Sequence, residues 1–308
     1  MRYICAQHSK LYYAWQTDAM IFSFLQNDIK QEQIDIVLAE DKNELGHFLN
    51  LKKKYPNINL YVYEDTRQSK RYASSIRPHI LKKHFKANPE LYRGTFLYHD
   101  CDIALTKPLD LTPYLCGCNP TIYFSDTKSY LGYNYIKSKG QDVLDLMCKT
   151  INIDQKIVQQ NEHKSGGCHY LFKDIDFNFW DQVEIDSEEL FKKVSQLNRE
   201  KKAKNNEYHE LQIWCADMWA ILWNLWKLGR KTEILKELDF TWSTSTNETW
   251  FKNSIYHNAG TNDDQDNKFH KAQYTQKYPP INLFINPKYA SFYYYQLVQQ
   301  ALYLEKEV

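Results

Sequence analysis

The alternation of short apolar runs with helically spaced ones over residues 2–105 limits the fold of this chain more than any other feature. Apolar runs at 2–6, 34–41, 58–65 and 95–105 read as strands, and the segments 12–27, 42–55 and 74–85 between them repeat apolar residues at helical spacing. The order β-α-β-α-β-α-β demands crossover connections, so an α/β fold is expected, a mostly parallel sheet with helices on both faces. Ligands of such sheets sit at the carboxyl ends of strands. There the fourth run carries "LYHDCDIAL" (97–105), with Asp100 and Asp102 one residue apart. In an extended strand the two carboxylates share one face and Cys101 takes the other. Like charges that close repel unless a cation lies between them or one carries a proton. A divalent metal with oxygen ligands meets that requirement, and a solvated turn after a strand is the plain alternative.

The rest of the chain is less regular. A strand at 121–126 leads through a loop into a helix within 129–151, and "KSGGCHYLFK" (164–173) sets Gly166 and Gly167 immediately before a strand. Residues 187–206 read as a charged helix, and "LQIWCADMWAILWNLWKLG" (211–229) as a Trp-rich helix that Gly229 stops. Short strands at 240–245 and 254–260, a polar insert at 261–273 with the character of a mobile loop, and a last helix from about Ala290 complete the reading. No internal repeat and no Pro/Gly/Ser linker marks a boundary, so two halves of one unit are expected.

Charge and cysteine usage exclude several classes. Lys and Arg number 39 against 38 Asp and Glu, which leaves no global field for nucleic acid or a membrane surface. The basic runs "KKHFK" (82–86) and "REKKAK" (199–204) read as solvated helix faces. Seven cysteines at irregular spacing, in a chain that opens without an apolar signal core, point to a reducing, cytoplasmic setting. Cys116 and Cys118 lack the partners a zinc site needs and read as structural. No apolar run approaches the roughly 20 residues of a membrane span, so a soluble protein is expected. The 24 Tyr, 8 Trp and 15 Phe suit a core first and sugar-stacking surfaces second.

Six further residues stand out. His257 in "YHNAG" follows an apolar strand, and one imidazole added to two carboxylates suits manganese better than calcium; alone it is an ordinary hydrogen-bonding histidine. Gly260 lets backbone approach a phosphate. Arg77, near the start of a helix, can meet a ribose or diphosphate or form a surface ion pair. Gly166 and Gly167 admit a sugar, a phosphate or a plain tight turn. Asp217 sits among Trp214, Cys215, Met218, Trp219 and Trp223, where a carboxylate must be paired or desolvated; a site near a sugar, a helix cap and a structural hydrogen bond are all compatible with that.

A β/α half ending in DxD, then a Gly-Gly segment, an acid on an apolar helix and a late HxxG together resemble the GT-A class of glycosyltransferases, which use nucleotide-sugar donors. The likeness is to retaining enzymes of the glycogenin and galactosyltransferase kind, and to plant hydroxyproline arabinosyltransferases and peptidyl-serine galactosyltransferases. It implies one GT-A domain over 1–308, with a nucleotide-sugar half at 1–125, an acceptor and catalytic half at 126–265 and a C-terminal loop and helix at 266–308. It also implies that Asp100, Asp102 and His257 bind Mn²⁺ or Mg²⁺ against the diphosphate of a UDP-sugar. By the same likeness Ala6, Gln7 and His8 lie under the nucleotide, and Arg77, Gly166, Gly167 and Gly260 line the donor. Lys268, or Lys271 beside it, matches the lysine after HxxG, although "NDDQDNKFHK" replaces the usual Lys-Pro-Trp. Asp217 would hold the sugar or act near its anomeric carbon, and the acceptor would be a glycan or protein hydroxyl. Oligomeric state is left open. Two other classes share features with the chain. A haloacid-dehalogenase-type phosphohydrolase uses the first Asp of such a pair as nucleophile, but its motif lies on the first strand and has Thr or Val where Ala104 stands. A non-catalytic sugar-nucleotide-binding protein differs only in lacking turnover.

Overall fold

The computed structural model describes residues 1–116, 119–261 and 265–303. Cys118 of the "CGC" pair and residues 262–264 of the polar insert lie outside the described residues. In chain order the strands are β1 (Arg2–His8), β2 (Ile34–Ala39), β3 (Asn59–Tyr63), β4 (Thr95–Tyr98), β5 (Ile103–Leu105), β6 (Ile122–Asp126), β7 (Gly166–Lys173), β8 (Thr232–Ile234), β9 (Phe240–Trp242) and β10 (Ile255–His257). The helices are α1 (Leu11–Gln26), α2 (Leu45–Lys54), α3 (Ile76–Ala87), α4 (Lys128–Leu131), α5 (Tyr133–Ser138), α6 (Gln141–Ile151), α7 (Gln155–Gln160), α8 (Phe177–Lys204), α9 (Ala216–Lys227), α10 (Glu248–Lys252) and α11 (Ser291–Tyr303). The result is a mixed α/β fold on a large, mostly parallel sheet. Two compact units, each built from separate segments, make up the chain: Met1–Tyr63, Tyr98–Cys116 and Glu237–Val308 in one, Glu64–Leu97 and Gly117–Lys236 in the other.

In the first unit β1, β2 and β3 are parallel neighbours, with Cys5 opposite Ile36 and Ile36 opposite Leu60. Strand β2 is buried at every position, as a near-continuous apolar run between covered faces must be. Helix α1 packs on α11, and Trp15, Tyr256, Phe269, Tyr294 and Val298 share one apolar cluster. The Trp15 indole donates to the Tyr274 carbonyl at 3.1 Å. Within the described part of the polar insert Phe269 is fully buried and stacks on Tyr274, while Asp266, Asn267, Ala272 and Gln273 are exposed.

The run 95–105 is two strands, not one. After β4 the chain turns at Cys101 and Asp102, and β5 joins a separate sheet of order β5-β10-β9. The bend follows from pairing: β5 runs antiparallel to β10, whose partner on the other side is β9. Burial pushes the His99 imidazole down to about 4, and the neutral ring donates from Nδ1 to the Asp100 carbonyl at 2.9 Å, which fixes the turn.

In the second unit β6 is antiparallel to β7 and parallel to β8. Helix α8 begins at Phe177, ten residues before the charged stretch that marks it in the sequence. Its first turns, "FNFWDQVEID", are rich in aromatic and β-branched residues, which obscure helical spacing; the N-cap Asp176 sets the start by accepting from the Phe179 N–H at 3.0 Å. Helix α9 is shorter than 211–229 because a 3₁₀ turn occupies Ile213–Cys215. Gly229 stops it as expected: at φ +66° its N–H donates to Trp226 and the Arg230 N–H donates to Leu225, a Schellman arrangement. Among the described residues no helix is long and apolar enough to cross a membrane, and five cysteines are free and buried.

A buried guanidinium shapes the loop before α3. Arg67 grips Asp65 through Nε and Nη2, both at 3.0 Å, and reaches the Tyr72 carbonyl at 3.1 Å and the Ser75 hydroxyl at 2.9 Å. Burial raises the Asp65 carboxyl, but the Arg67 fork outweighs it and holds the group well below the ordinary carboxylate range. A depressed value means stability present above the unfolded carboxylate's pKa of about 3.9 and lost as pH falls through the folded value. The thermal midpoint of Asp65→Asn should therefore lie below that of the wild type at neutral pH, with the gap closing as pH falls from about 4 towards 2; a gap that is constant with pH would sink this assignment.

Candidate metal centre

The β5/β10 register builds the centre. His257 stands opposite Ile103, so the next pair outward is Asn258 with Asp102, joined by the Asn258 N–H to the Asp102 carbonyl at 2.8 Å. On the other side β9 places Trp242 opposite His257, and the two rings lie within 9° of parallel. The imidazole Nε2 is 3.3 Å from Asp102 Oδ1 and 3.7 Å from Asp100 Oδ2. One ligand atom from each of Asp100, Asp102 and His257 lies within 4.8 Å of the others. Asp102 and His257 are 5% and 4% exposed, while Asp100 is partly open. The second oxygen of Asp102 faces the ammonium of Lys271. Burial pushes the Asp102 carboxyl up, but Lys271 and His257 outweigh it and hold it well below its ordinary range. Lys271, lowered by burial but raised more by Asp102, is held above the usual lysine value.

Two carboxylates and an imidazole fit a divalent cation of the manganese or magnesium kind, with positions left for other ligands. The sequence pairing of Asp100, Asp102 and His257 is thus brought together, though through a turn and a neighbouring strand rather than through strand alternation. Of Lys268 and Lys271, it is Lys271 that reaches Asp102. Lys268 instead lies 3.0 Å from Asp266 and over the Tyr289 ring. Asn258 and Trp242 escaped notice in the sequence, where only the pairing of distant strands could reveal them.

The other singled-out residues fall as follows. Ala6, Gln7 and His8 end β1, paired with Val37, Leu38 and Ala39, and the Gln7 amide donates to Thr17 Oγ1 at 3.2 Å. Gly260 has φ +89°, which accounts for a glycine there. In the second unit Asp217, 2% exposed in the first turn of α9, receives Arg77 Nη2 at 2.5 Å and the Tyr72 hydroxyl at 2.6 Å. Burial, aided by Asp217, pushes the Tyr72 phenol well up, so it stays a donor. Arg77 and Asp217, chosen separately in the sequence, are one buried ion pair. Gly166 and Gly167 open β7 rather than precede it. A Cβ on Gly166 would stand 2.6 Å from Phe124 Cβ and from the Ser125 carbonyl oxygen, and one on Gly167 would stand 2.6 Å from Met218 Cε. These glycines admit the close approach of the chain to itself.

No protein-family model matches the sequence, and no curated protein matches it. Among solved structures, the galactosyltransferase LgtC in complex with donor and acceptor sugar analogues is similar over 97% of this chain and 96% of its own, at 12% identity and a TM-score of 0.46. The bifunctional glycosyltransferase WbbM is similar over 85% of this chain and 46% of its own, at 12% identity and a TM-score of 0.48. The glycosyltransferase GlyE of Streptococcus pneumoniae TIGR4 is similar over 96% of this chain and 60% of its own, at 14% identity and a TM-score of 0.44. This chain therefore spans under half the length of WbbM and under two thirds of GlyE. Likeness at these values gives no residue a role, and the functional reading rests on the chain's own side chains.

Backbone contact leaves Gly166 no room. Gly166→Ala should cost about 1–3 kcal/mol by forcing β6 and β7 apart, read as a lower urea midpoint at unchanged m-value; an unchanged midpoint would show that the strands yield freely.

Proposed function

We propose that this chain is a metal-dependent glycosyltransferase with the GT-A fold, moving a sugar from a nucleoside diphosphate donor, a UDP-sugar, to a hydroxyl of a glycan or polypeptide. One observation carries the reading: two carboxylates and an imidazole converge within 4.8 Å, with a partly buried lysine ammonium on the innermost acid. In this reading Asp100, Asp102 and His257 hold Mn²⁺ or Mg²⁺, and the bound ion supplies charge that offsets the leaving diphosphate. Ala6, Gln7 and His8 support the nucleoside, with Gly260 giving the diphosphate close access to backbone. Lys271 keeps Asp102 ionised and adds positive charge beside it; Lys268 is the second candidate for a diphosphate contact. Asp217 orients the donor sugar's hydroxyls while Arg77 holds that carboxylate in place and meets the diphosphate or ribose. Gly166 and Gly167 shape the wall behind it.

The chain should hydrolyse one UDP-sugar slowly with Mn²⁺ and no acceptor, and chelator should stop it. UDP should bind more tightly with Mn²⁺ than without. Asp102→Asn, nearly isosteric, should lower the hydrolysis rate by about 10²–10³-fold while far-ultraviolet circular dichroism is retained. Full activity of that variant in chelator would refute the assignment.

The stereochemical course follows from the acids at hand. Inversion needs a carboxylate base on the acceptor side, whereas in retention the departing diphosphate can take the acceptor's proton. Asp217 is already bound by Arg77 and Tyr72, which suits holding a sugar better than accepting a proton. An α-linked donor should therefore give an α-linked product, read from the anomeric proton by nuclear magnetic resonance. A β-linked product would assign the base role to a carboxylate, with Asp217→Asn the first variant to examine.

A further inference from the structure

A cavity of about 640 Å³ opens in the second unit between residues 68–72 and the middle of α8. Four cations line it: Lys70 and Arg71 from the loop, Lys192 and Arg199 from the helix. Two carboxylates, Glu188 and Glu189, share the lining; the first is bound by the Ser75 hydroxyl at 2.9 Å and the second is paired with Lys192 of the same lining at 3.4 Å and with Lys193 at 3.2 Å. Lys70 is 3.5 Å from Asp65, a carboxylate that Arg67 already grips through both oxygens. Arg71 and Arg199 have no ion pair among the described residues.

We propose that this cavity binds the anionic group of a saccharide, so that the acceptor is an acidic glycan bearing phosphate or carboxylate. The inference rests on the transferase reading and names its acceptor class. Two guanidinium forks match the geometry of either anion, and two lysines add charge without demanding geometry. Buried Tyr72 stacks on Phe191 at 4.7 Å and so holds in the lining a partly exposed aromatic ring, of the kind a sugar's C–H face covers. The volume lies in the range of small-molecule sites, about 300–1,000 Å³. The loop is held in advance, since Arg67 ties Asp65 to the Tyr72 carbonyl and the Ser75 hydroxyl. Tyr72, which lines the cavity, directs its hydroxyl to Asp217, the partner of Arg77. Residues 199–204 end α8 largely exposed, as expected of a solvated helix face, and within that face Arg199 lines the concavity with the other three cations.

Calorimetry on the full chain, saturated with UDP and Mn²⁺ to keep the probes from the diphosphate site, tests this with glucose 6-phosphate, glucuronate and uncharged glucose. At least one anionic sugar should bind more tightly than glucose, and R71Q combined with R199Q should weaken it about tenfold, with each single variant intermediate and UDP binding unchanged. Tight glucose 6-phosphate marks a phosphorylated acceptor; tight glucuronate marks a uronate. Anionic sugars that bind no better than glucose, or binding indifferent to both arginines, would overturn the inference. Absence of UDP–Mn²⁺ binding in the same titrations overturns instead the transferase reading on which it rests.

Discussion

The buried carboxylate of Asp102 is the constraint around which the first unit is arranged. An ionised acid out of water costs several kcal/mol unless paired on its open sides. Asp102 divides its two oxygens, one towards His257 and one towards Lys271, and its own carbonyl takes the Asn258 N–H. The partners come from two other stretches of chain, 257–258 and Lys271, so satisfying one residue ties three segments together. His257 and Asn258 set the register of β10 on β5. Lys271 draws in the stretch that carries Phe269 and Tyr274, whose rings then stack within the cluster of Trp15, Tyr256 and Tyr294. Polar satisfaction and apolar burial thereby select the same arrangement, the agreement between levels that makes a native state unique.

The second unit depends in a comparable way on Tyr72. Its carbonyl receives Arg67, its hydroxyl reaches Asp217, and its ring stacks on Phe191 of α8. One residue thus joins the loop after Glu64, the first turn of α9 and the middle of α8. The Asp217 carboxylate gains from its place in that first turn, where the helix dipole favours negative charge, and from two donors at 2.5 and 2.6 Å. A positioned carboxylate with both oxygens partnered is a group for binding hydroxyls rather than for taking protons.

Much of this was legible in the sequence. The β/α alternation of residues 2–98 follows from periods of two and 3.6, and the mostly parallel sheet follows from that order. The acid pair with His257 was also readable, because two carboxylates one residue apart at a strand end, with a later imidazole, are a ligand set that suits a divalent cation. What the sequence concealed depends on long-range pairing. The break between β4 and β5 exists because β10, some 150 residues on by the count from Ile103 to Ile255, captures Ile103–Leu105. Lys271 rather than Lys268 meets Asp102 because Phe269 is buried, which the polar residues around it disguise. The early start of α8 was masked by aromatic and β-branched residues whose weak local preference packing overrides. Arg77 and Asp217 were each visible as isolated charges, and only the fold makes them a pair.

The donor set itself narrows the cation in the proposed reading. Calcium takes six to eight oxygen ligands in a roomy shell, whereas here one of three protein donors is an imidazole stacked beside Trp242 and one acid is fully enclosed. In that reading an imidazole donor favours a transition ion, Mn²⁺, over Mg²⁺. Lys271 refines this further. It already neutralises part of Asp102, so the two carboxylates present less than two full negative charges to a divalent ion. The ion would keep net positive charge on its open side, where a diphosphate can approach. A site with both acids unshielded would hold the metal more tightly and attract the diphosphate less; the partly buried ammonium trades some of the first for the second.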